Sequence, residues 1–113
     1  MIQLISIEKD DIVTDPRNAG WIIAHALDRN PALHFAGLCD VDQHCIQIVL
    51  DDLTAGEDGN AGEKQFIFTP FQSSVSERVS AVIRQRYDAG FSTLAAFSIG
   101  NTLWGLFCKQ VTE

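Results

Sequence analysis

The chain has 113 residues, 46% of them hydrophobic, with 15 acidic against 8 basic side chains and a formal net charge of −7. That length fits one domain and leaves no room for two independent cores. So acidic a surface repels phosphate backbones, which argues against nucleic acid and anionic membrane as partners.

Residues 2–7, IQLISI, are apolar and β-branched and predict a first strand, ended by Asp10 and Asp11. Thr14-Asp15-Pro16 predicts a helix start, with Asp15 as N-cap and Pro16 at the first helical position, where its missing N–H costs nothing. The helix runs to about Arg29 and stops at Asn30-Pro31. Trp21, Ile22, His25 and Arg29 share one stripe at helical spacing. Gly20, mid-helix, costs roughly 1 kcal/mol against alanine, which suggests a close backbone approach there.

Residues 33–41 and 44–50 read as two strands turning near Asp40-Val41-Asp42-Gln43. In the second strand both alternating sets are largely apolar, so it is expected to be covered on both faces. Residues 51–63, DDLTAGEDGNAGE, form one acidic, glycine-rich loop that divides the chain nearly in half. Residues 65–71 predict a strand whose Pro70 belongs at an edge or in a turn. Ser74-Val-Ser-Glu77 has the capping-box pattern. The helix after it, to about Asp88, places Val75, Val79, Val82, Ile83 and Tyr87 on one face, the clearest amphipathic pattern in the chain. Gly90 stands where a Schellman ending needs it. Residues 92–99 and 102–111 predict a hairpin around Gly100-Asn101, and Gly105 within it suggests a bulge or a close neighbour.

The order strand, helix, strand, strand thus occurs twice, in halves of about 1–53 and 64–112. Residues 33–52 and 91–110 align without a gap, placing Val41 on Ile99, Ile48 on Leu106 and Val49 on Phe107. The expected fold is a single α+β domain over 1–113, a tandem βαββ pseudo-repeat with about six mostly antiparallel strands and two helices. Two arrangements follow from that order. One is a single sheet with both helices on one face, as in ferredoxin-like folds. The other is two half-sheets meeting at a pseudo-two-fold. At the level of element order alone, the latter resembles the effector-binding domains of drug-sensing regulators, where a cleft lies between the repeats.

Three cysteines, Cys39, Cys45 and Cys108, with no secretory pattern in MIQLISIEKDD, point to free thiols and a cytoplasmic location. No apolar run approaches the roughly 20 residues that span a bilayer. The candidate chemistry is thin. Cys39, His44 and Cys45 flank a turn, but C-x5-C is not a zinc-knuckle spacing. Cys108 lies in an apolar strand without a neighbouring base. Glu57-Asp58-Gly59-Asn60 lacks the calcium-loop pattern. Gly56, Gly59 and Gly62 sit among acids and precede a strand, which excludes a phosphate cradle. No catalytic motif occurs, and neither a metal nor a cofactor is expected.

The eight Lys and Arg do not cluster along the sequence. The excess of acid suits solubility, or the attraction of a cationic ligand or basic partner. The aromatic set Trp21, Tyr87, Phe97 and Trp104, with His25, would line an apolar pocket whose acidic rim suits a cation. The leading expectation is therefore a non-catalytic module that binds a small apolar or cationic molecule between the halves. The alternative is a homodimeric interaction or assembly module, favoured by the high apolar fraction. A small enzyme using His or Cys is third.

Overall fold

In the computed structural model, which describes residues 1–53, 63–72 and 75–111, six strands form two separate three-stranded antiparallel sheets. The first half contributes β1 (Ile2–Glu8), α1 (Lys9–Thr14), α2 (Pro16–Arg29), β2 (His34–Asp40) and β3 (Cys45–Asp51). The second contributes β4 (Glu63–Pro70), α3 (Ser76–Asp88), β5 (Ser92–Ile99) and β6 (Thr102–Val111). Sheet order is β1-β3-β2 in one and β4-β6-β5 in the other, so the last strand of each half is central.

The α+β class and the strand and helix placements read from the sequence are met, with one element added. Asp10 and Asp11 do not simply end the first strand. They occupy the first turn of α1, where carboxylates favour the partial positive charge of a helix start. Burial of Lys9 and Ile12 fixes this short helix. The helices therefore number three among the described residues, not two.

Ile7, Ile46, Ile48 and Leu50 from the first sheet, Phe66, Phe68, Phe97, Trp104 and Leu106 from the second, and Ala19, Ile23, Ala26 and Leu27 from α2 share one core. Phe68 meets Phe97 edge to face at 5.7 Å, a favoured aromatic arrangement. The β3 residues Ile46, Ile48 and Leu50 are fully buried, while Cys45, Gln47, Val49 and Asp51 between them are only half-buried. This corrects the expectation of a strand covered on both faces. Ile2 and Leu4, on the outer face of the first sheet, are 64% and 53% exposed.

Polar contacts at Asp40 join the two sheets. Lys9, the one charged residue in the buried set, sends its ammonium 2.6 Å to Asp40 Oδ1, and the Ser98 N–H donates to Asp40 Oδ2 at 3.3 Å. The contact therefore ties α1 to β2 and β2 to β5.

The expected amphipathic helix forms as α3, but its N-cap is Val75, with no side-chain cap bond. Ser74 lies outside the described residues. No residue of α3 is fully buried. Val79, Val82 and Ile83 are half-buried where the helix leans on β5, while Val75 and Tyr87 stay exposed. Its end follows the Schellman pattern: Phe91 N–H donates to the Arg86 carbonyl at 2.8 Å and Gly90 N–H to that of Tyr87 at 2.9 Å. Gly90 takes φ +95°, which glycine adopts without strain. Gly105 is explained by close neighbours: a Cβ there would stand 2.8 Å from ring atoms of both Phe71 and Phe107.

Candidate cleft between helix and edge strand

The longest helix, α2, is placed by its caps. The Asp15 carboxylate accepts from the Asn18 N–H at 3.2 Å, Pro16 opens the first turn, and Asn30 closes the last through its N–H to the carbonyls of Ala26 and Leu27. The helix packs along β4, one of the two edge strands of the second sheet. Contact is close at Gly20, where a Cβ would fall 2.8 Å from the Phe66 carbonyl carbon and closer still to its oxygen. The close approach expected of Gly20 is therefore present, and α2 covers an edge that would otherwise be open to pairing.

The stripe of Trp21, His25 and Arg29 faces outward, because Ala19, Ile23, Ala26 and Leu27 take the buried face. Trp21 is 58% exposed. Its indole stacks on the His25 imidazole, ring centroids 4.6 Å apart and planes 17° from parallel. Depressions lie on both sides of this stack. A smaller one, about 500 Å³, runs between α2 and β1 and is lined by His25, Arg29, Asn30 and Gln3 among others.

The larger, about 950 Å³, is an open cleft between α2 and β4. One wall carries Asp15, Pro16, Arg17, Trp21 and Ala24, the floor is every residue from 64 to 69, and Arg86 and Phe91 complete the lining. The Schellman ending of α3 fixes Phe91 relative to Arg86. Behind them Lys109 holds its ammonium 5.5 Å from the Phe91 ring centroid, within cation–π range.

The lysines and arginines that are scattered along the sequence therefore gather in space. Arg17, Lys64 and Arg86 line the cleft and Lys109 stands beside it, four of the eight basic residues. Among the described residues no carboxylate oxygen comes within 4 Å of these four. The one acid in the lining, Asp15, has its carboxylate on the Asn18 N–H. In a chain of net charge −7, three of the four charged side chains that line this cleft are basic. Sequence reading missed Arg17, Lys64, Arg86 and Phe91 because they come from three elements far apart in the chain.

Of the aromatic residues singled out from the sequence, the fold unites Trp21 with His25 alone. Phe97 and Trp104 are cross-strand partners in the core. Tyr87 is 75% exposed on α3.

The remaining candidates lie apart. Cys39 pairs with Gln47 and Cys45 with Glu8 across the strands, so neither cysteine is the other's partner. His25 is on α2, His34 opens β2 and His44 lies in the β2–β3 turn. No group of three metal-ligating side chains occurs among the described residues. Burial pushes the Cys108 thiol pKa above its usual value, with nearby Lys64 opposing the shift, so the thiol is not activated. The acidic loop readings at Glu57–Asn60 and at Gly56, Gly59 and Gly62 lie outside the described residues. No described helix is long and apolar enough to cross a membrane. Comparison with protein families, with characterised proteins and with solved structures finds no match.

Proposed function

We propose that the chain is a non-catalytic binding module, that its site is the cleft between α2 and β4, and that its ligand is anionic. The carrying observation is the convergence of Arg17, Lys64 and Arg86, unneutralised, around Trp21 and Phe91. No described carboxylate pairs with these cations, which favours an anion from outside the described fold. The sign is opposite to the one that bulk charge suggests. The walls belong to different halves, which supports reading the chain as a tandem βαββ pseudo-repeat with a cleft between repeats. The matching strand orders favour the same reading, as do the strand irregularities at Phe35/Gly37 and Thr93/Ala95, 58 residues apart.

The test is a two-dimensional NMR titration with sodium naphthalene-1-sulfonate and, separately, phenyltrimethylammonium. The expected result is perturbation of residues 15–24, 64–69, 86 and 91 by the anion alone. An equal response to the cation, or none to the anion, would overturn the proposal.

A second reading, homo-oligomeric assembly, is favoured by the exposed Ile2 and Leu4 on the outer face of the first sheet. Light scattering tests it: a dimer that Leu4→Arg returns to monomer supports it, and a strict monomer at high concentration removes it.

A further inference from the structure

We infer that the ligand of the α2–β4 cleft is an extended acidic polypeptide segment of about six residues, containing at least one apolar or aromatic side chain. This rests on the cleft being an anion site. The first argument is shape. Six consecutive residues of β4, 64 to 69, line the cleft, odd and even positions alike. The cleft therefore follows the strand along its length, roughly 20 Å at about 3.3 Å per residue. It is a trough open to solvent, whereas a site for a compact small molecule encloses most of its ligand. An extended chain is held from one side.

The second argument is the distribution of charge. Arg17 stands at the start of α2, Lys64 near the start of β4 and Arg86 near the end of α3. Carboxylates spaced along a chain would give each of these three cations a partner within the one cleft. Trp21 and Phe91 offer aromatic faces for the apolar side chains between those carboxylates.

The third argument concerns the strand edge. β4 is an outer strand of its sheet, but Gly20 already abuts the Phe66 carbonyl. The segment therefore lies in the trough without extending the sheet, and recognition rests on side chains. Single-stranded nucleic acid shares the chemistry of cations and aromatic platforms. A phosphodiester longer than the trough, however, runs onto the surface of a chain with net charge −7.

The experiment is fluorescence anisotropy with a labelled peptide of about eight residues, Asp and Glu around one Phe, at low and at physiological salt. Competition with naphthalene-1-sulfonate and an oligothymidylate of similar length follows. The expected result is that the peptide binds at least tenfold tighter than the small anion and weakens with salt. Lys64→Glu and Arg86→Glu should each lose at least fivefold, and Lys64→Gln and Arg86→Gln less. Circular dichroism and melting confirm that each variant is folded, and the Gln variants carry the comparison if a Glu variant is not. Equal binding of the small anion overturns the peptide and leaves the anion site. Tighter binding of the oligonucleotide overturns it in favour of single-stranded nucleic acid. No binding by any anion overturns the anion site itself.

Discussion

The Phe66 carbonyl oxygen of β4 lies against the Cα of Gly20 in α2, with no room for a side chain between them. Helix propensity alone says that Gly20→Ala should stabilise α2 by roughly 1 kcal/mol. The packing says the reverse, because the added methyl overlaps backbone, which cannot swing aside as a side-chain tip would. The expected outcome is a net loss of about 1–3 kcal/mol, read from urea denaturation. A gain in stability would show that the helix can lift from β4 at no cost.

The contact between Lys9 and Asp40 is unequal, and its variants should be too. Lys9 is 4% exposed, whereas the Asp40 side chain keeps 39% of its surface in water. Asp40→Asn leaves an ammonium in the core without its counter-charge and should cost about 1–2 kcal/mol, less than a fully buried pair because water reaches the carboxylate. Lys9→Met removes the buried charge and leaves a carboxylate that water can solvate. It should cost less than Asp40→Asn, as chemical denaturation of both variants will show.

The same pair sets an acid limit on stability. The hydrogen bond from Lys9 holds the Asp40 carboxyl below its ordinary pKa of 3.8; partial burial opposes the shift, and the Ser98 N–H adds to it. A group whose native pKa is depressed contributes its stability in full above the unfolded value and loses it as pH falls through the native one. Melting temperature should therefore fall below about pH 4, and the fall should be shallower in Asp40→Asn. Asp42 is depressed likewise, by the N–H groups of His44 and Cys45, so some acid sensitivity should remain in that variant.

The fold was legible wherever a local pattern has a single physical cause. Asp15-Pro16 can only open a helix economically, Gly90 can only end one, and Gly100-Asn101 can only turn a hairpin, and the elements begin and end there. Patterns that depend on what lies opposite were harder to read. The outer set of β3 looks like a second core face, yet its residues are only half-buried. The Trp21, His25, Arg29 stripe resembles a packing face, yet smaller residues one or two positions away fill the core. The cleft was illegible for a related reason. Its charges come from α2, β4 and α3, and only the tertiary fold makes them neighbours, so bulk charge pointed to a cationic ligand while the cleft itself gathers cations.

Trp21 should report on the cleft directly. Of the two tryptophans, Trp104 is 7% exposed in the core and Trp21 is 58% exposed at the cleft wall. Collisional quenching by acrylamide should therefore divide the emission into an accessible and a protected component. Trp21→Phe should remove the accessible one and leave the blue-shifted emission of Trp104. The stack on His25 makes a second demand, since an imidazole whose centroid lies 4.6 Å from that of the indole shields one of its faces. His25→Ala should raise the quenching constant of the accessible component without changing the protected one. An acidic peptide bound in the cleft should lower that same constant, because it covers the other face. If the peptide protects Trp21 equally well in Arg86→Gln, then Arg86 is not part of the anion site, and the charge argument loses one of its three supports.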